Sequence, residues 1–335
     1  PKSELARAGE EVKSSKLEKC GLSDVWIRKG RSSFEKGDYD QAVEEFSEAI
    51  LLEPDCYVAW RWRGNAYREK GDDNQALDNF NRAILLEPED EKNWSMRSTA
   101  YAKKGSYVQA ISDSNEAIRL KPDYAGAWSN RGWTYERKGD YDQAIKDYSE
   151  AIRLKPDFAG AWSNRGRIYG RKGDYDQAIR DFSEELLLDP KNPDGWRWRG
   201  MAYLDKGEYD WSIKDFSEAI RLDPESVLAW FYRGLAYYNK GDYDQAIKDY
   251  SEAIRLKPDF SRAWGGRGIA YAKKGDYGQA VRDYSEVIEL DPEDVEDTMA
   301  WHNRGIAYRE LGNEAKAKAD FLKAEELEAR AKSKP

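Results

Sequence analysis

Hydrophobic residues recur along this chain with a period of 34 positions. Trp stands at positions 26, 60, 94, 128, 162, 196, 230 and 264, each 34 residues after the one before, and a further Trp follows at 301. Within one period, numbered so that this Trp is position 4, Trp, Gly and Tyr recur at positions 4, 8 and 11, and Ala, an aromatic residue and Ala recur at positions 20, 24 and 27. Spacings of three and four residues place each set on one face of a helix. Each period is therefore predicted to form two amphipathic helices.

Turn residues mark where these helices end. Around Gly139, the segment Lys-Gly-Asp-Tyr-Asp-Gln ends the first helix at the glycine and begins the second at Asp140, with Gln143 placed as in a capping box. Pro at position 32 prevents the second helix from continuing. One such hairpin cannot bury its apolar face alone, so neighbouring periods are expected to stack and share a core.

With Trp, Gly, Tyr, Ala, an aromatic residue, Ala and Pro at these positions, the sequence resembles the tetratricopeptide repeat (TPR) family. The resemblance implies an all-α, right-handed α-α superhelical solenoid of nine TPR helix hairpins. We expect residues 1–22 to form an N-terminal capping helix and residues 332–335 to form a C-terminal tail. The repeats are 23–56, 57–90, 91–124, 125–158, 159–192, 193–226, 227–260, 261–294 and 298–331.

Composition narrows the possible functions. The chain has 335 residues, with 55 Lys and Arg against 64 Asp and Glu, a net charge of −9 and a pI near 5.1. This acidic balance disfavours nucleic acid as the main partner. No apolar run approaches the roughly 18–20 residues that span a membrane. A single His and two Cys exclude His-cluster and four-cysteine metal sites.

No motif for catalysis or cofactor binding occurs in the sequence, so we predict neither an enzyme nor a bound cofactor or metal. Cys20 and Cys56 flank the first repeat. We expect two unpaired thiols, and a disulfide that ties the N-terminal helix to the first repeat is the alternative. Asn93-Trp94-Ser95 matches the N-glycosylation sequon, but Trp94 is a repeat-defining residue that we expect to be buried, so we attribute the match to chance.

A basic residue recurs at position 7 of every repeat and has two interpretations. It is Lys29 in the first repeat and Arg in the others. A ladder of cations would suit a polyanionic ligand, whereas an acidic residue at position 23, such as Asp147 for Arg131, would form an internal ion pair. Because position 23 lies between the core-facing positions 20 and 27, we favour the internal pair at the seam between the helices.

In the TPR family the first helices line a concave groove, into which positions 2, 5, 6, 9, 12 and 13 project. Here these positions carry thirteen basic and seven acidic residues, a net +6, and a positive groove on an acidic body attracts anionic ligands. The polar and basic candidates for partner binding are Arg61, Asn65, Arg68, Lys92, Asn130, Asn164, Arg167, Arg171 and Arg197. The aromatic and apolar candidates are Trp62, Trp133, Trp198, Met201, Phe231, Tyr232, Leu235 and Tyr238. An alternative role for these aromatic residues is to fill the groove by packing on neighbouring repeats.

We therefore predict a non-catalytic scaffold that binds an extended or helical segment of a partner protein in the groove. An acidic stretch of the partner would lie over repeats two to five, and an apolar anchor over repeats six and seven. The alternative is a structural array that assembles with copies of itself. We expect a soluble protein without nucleic acid or a membrane span. The start at Pro1, without Met, fits either a trimmed chain or the removal of a signal peptide. We expect a cytoplasmic protein or, if a signal peptide was removed, one in the periplasm or another extracytoplasmic space.

Overall fold

A computed structural model describes residues 20–290 and 298–333, with side chains as far as residue 330. These residues form eighteen α-helices and no strand. The all-α prediction is therefore confirmed. The predicted capping helix at 1–22 and the tail at 332–335 lie largely outside the described residues, as does the insertion at 295–297.

The helices follow one another in pairs within the 34-residue periods, and their number fits nine helix hairpins. The first helices are α1 (Asp24–Glu35), α3 (Tyr57–Glu69), α5 (Glu91–Lys103), α7 (Ala125–Lys138), α9 (Ala159–Arg171), α11 (Pro193–Lys206), α13 (Val227–Lys240), α15 (Ser261–Lys273) and α17 (Thr298–Glu310). The second helices are α2 (Tyr39–Leu52), α4 (Asp73–Leu86), α6 (Tyr107–Leu120), α8 (Tyr141–Leu154), α10 (Tyr175–Leu188), α12 (Tyr209–Leu222), α14 (Tyr243–Leu256), α16 (Tyr277–Leu290) and α18 (Glu314–Ser333). The chain divides into two compact units, Pro1–Ile168 and Tyr169–Pro335.

Aspartate side chains begin most of the second helices. The Asp140 carboxylate accepts a hydrogen bond from the backbone N–H of Gln143 at 3.2 Å, which satisfies one of the unpaired donors at the start of α8. The Gln143 side chain does not close a capping box, because the backbone N–H of Asp140 donates to the Tyr135 carbonyl at 2.9 Å. The Gln143 amide donates instead to Asp147 Oδ1 at 3.2 Å. The start of α8 is therefore fixed by a simple aspartate N-cap.

Small residues let the two helices of a hairpin approach closely. Gly132 of α7 faces Tyr148 of α8, and a Cβ at Gly132 would lie 3.2 Å from the tyrosine ring, closer than ordinary contact. Ala144 and Ala151 lie on the same helix as Tyr148, and all three side chains are fully buried. They belong to the largest apolar cluster of the first unit. The corresponding cluster of the second unit includes Phe231, Ala246, Tyr250, Ala253 and Ala270.

The position 7 arginines pair with the position 23 aspartates, as predicted. In repeat four, Arg131 Nε and Nη2 donate to Asp147 at 2.7 and 2.8 Å, and Asp147 is 1% exposed. The same pair recurs as Arg97–Asp113, Arg199–Asp215, Arg233–Asp249, Arg267–Asp283 and Arg304–Asp320. These arginines are therefore part of the fold rather than a ladder of cations for a polyanion.

Each of these arginines also reaches the preceding repeat. Arg131 Nη1 donates to Asn115 Oδ1 at 2.6 Å, and its guanidinium lies 4.8 Å from the centre of the Trp128 ring. Trp128 Nε1 in turn donates to the Pro122 carbonyl at 2.9 Å. Asn115 and Pro122 belong to repeat three, so the Trp and Arg of one repeat bind two positions of the repeat before it. The recurring Trp is therefore a half-buried seam residue.

Repeat two departs from this pattern because Asn79 stands at position 23. Arg63 Nε donates to Asn79 Oδ1 at 2.8 Å. Burial lowers the pKa of Arg63, since the amide supplies no negative charge. Burial also opposes the charge of Arg131, but the hydrogen bonds to Asp147 outweigh it and raise the pKa of Arg131. The aspartate therefore compensates the cation that the seam buries.

Residues 20–23 are held against the end of the first repeat. Cys20 and Cys56 form a disulfide with an S–S distance of 2.12 Å, so the prediction of two unpaired thiols is wrong. The Glu53 carboxylate accepts hydrogen bonds from the backbone N–H groups of Leu22 and Ser23 at 3.2 and 3.0 Å, and from the Ser23 hydroxyl at 2.5 Å. These contacts bring the segment before α1 back onto the C-terminal end of α2, which places the two sulfurs together.

The N-glycosylation sequon lies in the interior of the protein. The Asn93 side chain is fully buried, and its amide donates to the carbonyls of Ala83 and Glu87 at 3.2 and 3.0 Å. Trp94 itself is only half-buried. The asparagine is thus a structural residue that holds the start of α5 to the end of α4.

Candidate functional site

The candidate residues lie on first helices of the repeats. Those up to Arg167 belong to the first unit and those from Arg171 onward to the second, so they form two surfaces, which we call the first and second groove surfaces. Lys92 and Arg171 are exposed. Asn65 and Phe231 are buried, with 5% and 8% of their surfaces exposed, and the other candidates are half-buried.

Two basic candidates of the first groove surface are bound by carboxylates of the protein itself. Arg61 Nη1 donates to Asp90 at 2.6 Å, and the Arg61 side chain is 13% exposed. Arg68 pairs with Glu69 at 2.8 Å and donates to Thr99 Oγ1 at 2.9 Å. Arg61 therefore ties α3 to the turn before α5, and Arg68 ties α3 to α5 itself. Both arginines contribute less positive charge than the sequence count suggests.

Arg167 is also engaged in an internal network. Its Nη2 donates to Asn164 Oδ1 at 2.8 Å and lies 3.4 Å from Glu136. Glu136 accepts a hydrogen bond from the Tyr148 hydroxyl at 3.2 Å. Burial and the negative charge of Glu136 raise the pKa of Tyr148, so its hydroxyl remains a donor. These contacts tie the groove face of repeat five to the core of repeat four.

Two asparagine candidates differ in what they offer a ligand. The Asn130 amide donates to Ser95 Oγ at 2.9 Å and so connects α7 to α5. Asn65 Oδ1 is buried without a hydrogen-bond partner among the described residues. Because this oxygen is buried, Asn65 contributes to the packing of α3 rather than to the accessible part of the first groove surface.

Other cations of the first groove surface lie next to aromatic rings and without a carboxylate. The guanidinium of Arg31 is 5.1 Å from the centre of the Trp62 ring, and that of Arg137 is 5.8 Å from the centre of the Trp133 ring. Both arginines are exposed. Within the described part of the chain, neither forms an ion pair. The two Trp residues are half-buried, so they pack on the repeats and still present part of a ring to the groove.

The second groove surface contains an apolar pocket of about 240 Å³ between α13 and α15. It brings together three predicted residues, Phe231, Leu235 and Tyr238, and Arg262, which is one of the thirteen groove cations but not one of the candidates. Three further lining residues, Tyr250, Gly266 and Ile269, were missed. Tyr250 was missed because it lies at position 24, which the repeat pattern assigns to the core. Gly266 could have indicated the pocket from the sequence, because no other repeat has Gly at groove position 6.

The other candidates of this surface do not line the pocket. Arg197 pairs with Asp194 at 2.7 Å, and its guanidinium lies 4.6 Å from the centre of the Trp198 ring. Trp198 packs on the apolar cluster of Phe182, and Met201 is half-buried. Tyr232 stacks on the ring of Phe216, a core residue of the preceding repeat. Trp198 and Tyr232 thus both pack on the fold and present a face to the groove.

The described residues contain neither a cluster of metal ligands nor a membrane-spanning helix. Across residues 20–290 and 298–330, no three His, Cys, Asp or Glu side chains are grouped so that they could bind a metal ion. The helices of the described part include none with the length and apolar character needed to cross a membrane.

Solved structures share the fold of this chain. The C-terminal part of a TPR repeat-containing protein from Cytophaga hutchinsonii is 17% identical, covers 72% of this chain and 98% of that chain, and has a TM-score of 0.58. A tetratricopeptide repeat protein from Parabacteroides merdae is 18% identical, with 77% and 98% covered and a TM-score of 0.52. The APC/C hetero-tetramer Cut9–Hcn1 is 15% identical, with 92% and 73% covered and a TM-score of 0.52. No curated protein sequence is significantly similar to this chain.

Family models cover most of the sequence. One model described as tetratricopeptide repeat matches residues 27–93, 163–227, 199–259, 233–295 and 266–333. Another tetratricopeptide repeat model matches 125–158, and a TPR repeat model matches 99–139. Together with the helix hairpins and the seam contacts, these matches show that the chain belongs to the tetratricopeptide repeat family.

Proposed function

We propose that this TPR protein is a non-catalytic scaffold that binds an extended or helical segment of a partner protein, with acidic character, on its groove surfaces. One observation carries the proposal. Cations buried at the seam are matched by position 23 aspartates, Arg131 by Asp147 for example, whereas several groove cations have no carboxylate partner in the described part of the chain.

The unmatched cations are arranged for contact with a partner. Arg31 and Arg137 are exposed beside Trp62 and Trp133, and Lys103 is exposed at the end of α5. Arg and Trp are the residue types that most often contribute binding energy at protein interfaces. Carboxylates of a partner would pair with the guanidinium groups while its apolar atoms cover the exposed parts of the rings.

The experiment is a selection from a random dodecapeptide display library on the full chain. We expect the selected peptides to be enriched in Asp and Glu and their affinity to fall with added salt. The variant Arg31→Glu/Lys103→Glu/Arg137→Glu should weaken this selection, because it loses the acidic peptides that bind the first groove surface. The control, Lys36→Glu/Lys138→Glu/Lys146→Glu, changes three exposed lysines outside the groove positions by the same charge and should keep it.

Equal selection by both triple variants would place binding elsewhere and refute the proposal. Light scattering over a concentration series tests the alternative of self-assembly. A mass that stays at the 38.6 kDa of one chain agrees with a scaffold for other proteins. A mass that rises with concentration favours the self-assembling array.

A further inference from the structure

Aromatic residues at groove position 6 cover the core ring of the preceding repeat. Trp62 of repeat two stacks on Phe46 of repeat one, with ring centres 6.1 Å apart and planes 17° apart. Tyr232 of repeat seven stacks on Phe216 of repeat six, with 5.9 Å and 14°. Both separations fall within the range of favourable aromatic pairs, about 4.5–7 Å. A ring from the groove side is therefore a recurring way to cover the aromatic residue at position 24.

Repeat eight lacks this covering ring. Its position 6 is Gly266, and the core residue that it faces is Tyr250 of repeat seven. A Cβ at Gly266 would lie 2.9 Å from the Tyr250 ring, so the tyrosine lies directly against the glycine backbone and would have to shift for a larger side chain. The space that Trp62 and Tyr232 fill elsewhere is left open as the pocket between α13 and α15.

The walls of this pocket suit an aromatic side chain. Phe231 forms one wall, with ring centres 5.7 Å from Tyr250 and 5.2 Å from Tyr232, and Leu235 and Tyr238 line the same side. The pocket volume is about 240 Å³. An apolar cavity of about 150 Å³ is already large enough to bind benzene. One phenyl or phenol ring therefore fits with room for its Cβ.

A single cation lies among the apolar lining residues. Arg262 is exposed, and its guanidinium lies 5.6 Å from the centre of the Phe231 ring and 5.1 Å from that of Phe260. No carboxylate of the described residues forms an ion pair with it. A ligand that places a carboxylate beside its ring satisfies Arg262 and fills the pocket at the same time.

We propose that this pocket binds one aromatic side chain of a partner segment, with an acidic residue next to it that pairs with Arg262. The inference rests on the proposed function, which it deepens by naming the anchor residue of the partner. It gives the second groove surface a preference for an aromatic residue beside an acidic one, which the net charge of the groove positions does not predict.

The test uses the same dodecapeptide library and two variants. Leu235→Trp fills the pocket from α13, at a groove position where repeat four already carries Trp133, so the fold accommodates the residue. Arg262→Gln removes the charge. Lys273→Gln removes an exposed groove cation from the same helix, outside the pocket, and is the matched control.

On the unmodified chain, we expect selected peptides to carry Phe, Tyr or Trp next to Asp or Glu. Synthetic copies of one such peptide should bind Leu235→Trp at least about tenfold more weakly, which is a typical loss for an anchor residue. They should bind Arg262→Gln about threefold to tenfold more weakly and Lys273→Gln within about twofold. Replacing the aromatic residue of the peptide by Ala should cost as much as Leu235→Trp does.

Selected peptides without an aromatic residue beside an acidic one overturn the inference, and so does unchanged affinity in Leu235→Trp. If Leu235→Trp leaves the affinity unchanged but the Arg31/Lys103/Arg137 variant loses it, the proposed function stands and only the assignment of the pocket fails. A concentration-dependent rise in mass that Leu235→Trp abolishes assigns the pocket to a second copy of the chain and also overturns the inference.

Discussion

Arg131 of α7 and Asp147 of α8 form a bidentate ion pair in which the aspartate is almost fully buried. Removing either partner leaves the other buried without its counter-charge. We expect a double-mutant cycle of Arg131→Ala and Asp147→Ala to show a coupling of about 0.5–3 kcal/mol. Denaturant unfolding followed by circular dichroism measures it.

Repeat two supplies the control for this cycle. Arg63 donates to the neutral amide of Asn79, so Arg63→Ala and Asn79→Ala should couple more weakly than the charged pair. Additive effects of Arg131→Ala and Asp147→Ala would contradict a structural role for the pair and would revive the polyanion interpretation of position 7.

Arg61 and Lys92 should differ in their effect on stability, although both occupy groove positions. Arg61 is 13% exposed and holds Asp90 just before α5, so Arg61→Ala is expected to lower the free energy of unfolding by about 1–3 kcal/mol. Lys92 is exposed, and Lys92→Ala should change the free energy of unfolding by less than about 0.5 kcal/mol. Denaturant titrations of the two variants make the comparison. Equal stability of both variants would show that Arg61 is available to a ligand.

Gly30 should not tolerate a methyl group. A Cβ at this position would lie 2.6 Å from the Phe46 ring, which is fully buried and stacked on Trp62, so the ring has nowhere to retreat. Gly30→Ala is expected to destabilise by about 1–3 kcal/mol. Gly265→Ala is the matched control in α15, because its Cβ would meet only Val287 at 3.9 Å. Helix propensity should make that variant more stable by up to about 1 kcal/mol, and thermal unfolding compares the two. A tolerated Gly30→Ala would mean that the Phe46 ring moves.

Glu53 makes the stability of the amino-terminal end depend on pH. Partial burial opposes its charge, but the hydrogen bonds from Ser23 and Leu22 outweigh this and hold the pKa of Glu53 below its ordinary value. A lowered pKa in the folded state stabilises the fold above the unfolded value of about 4.3. That contribution is lost as the pH falls through the folded pKa. Glu53→Gln should therefore melt at a lower temperature than the unmodified chain at pH 7, and the difference should shrink when the pH is lowered below the unfolded value of about 4.3.

The exposed Glu44 on α2 provides the control for this pH dependence. No hydrogen bond from a helix start reaches its carboxylate in the described structure, so Glu44→Gln should melt like the unmodified chain at neutral and at low pH. A difference between Glu53→Gln and the unmodified chain that persisted at low pH would exclude the charge of Glu53 as its cause.

Residue spacing predicted the fold and its seam because these depend on regular helices. Arg131 and Asp147 occupy the two helices of one hairpin, where the period of the helix determines which side chains face each other. The pairing of Arg61 with Asp90 was missed, since Asp90 lies in the turn before the next repeat rather than at a groove position. Cys20 precedes the first repeat, so the repeat period contains no information about where it packs.

The pocket could not be predicted from the groove residues alone. It depends on a side chain that is missing, at Gly266, and on Tyr250, which the repeat pattern assigns to the core. A pattern of residue types shows which side chain stands at each position. It does not show the shape or volume of the space that is left where a repeat has glycine instead of a side chain. The pocket also depends on how the rings of Phe231, Tyr238 and Tyr250 pack around that gap, which only the three-dimensional structure shows.

The seam contacts have a consequence for the gene that encodes this protein. Arg267 donates to Ser251 and Trp264 to Pro258, while Arg233 and Trp230 donate to Ser217 and Pro224 in the same way. Because the partners are the same residue types, recombination that deleted one 34-residue unit, such as 227–260, would bring Arg267 against Ser217 with no mismatch. Chain length can therefore change by whole repeats over generations at little cost to folding. The pocket between α13 and α15 would be destroyed by the same event, because most of its lining residues lie in the deleted repeat.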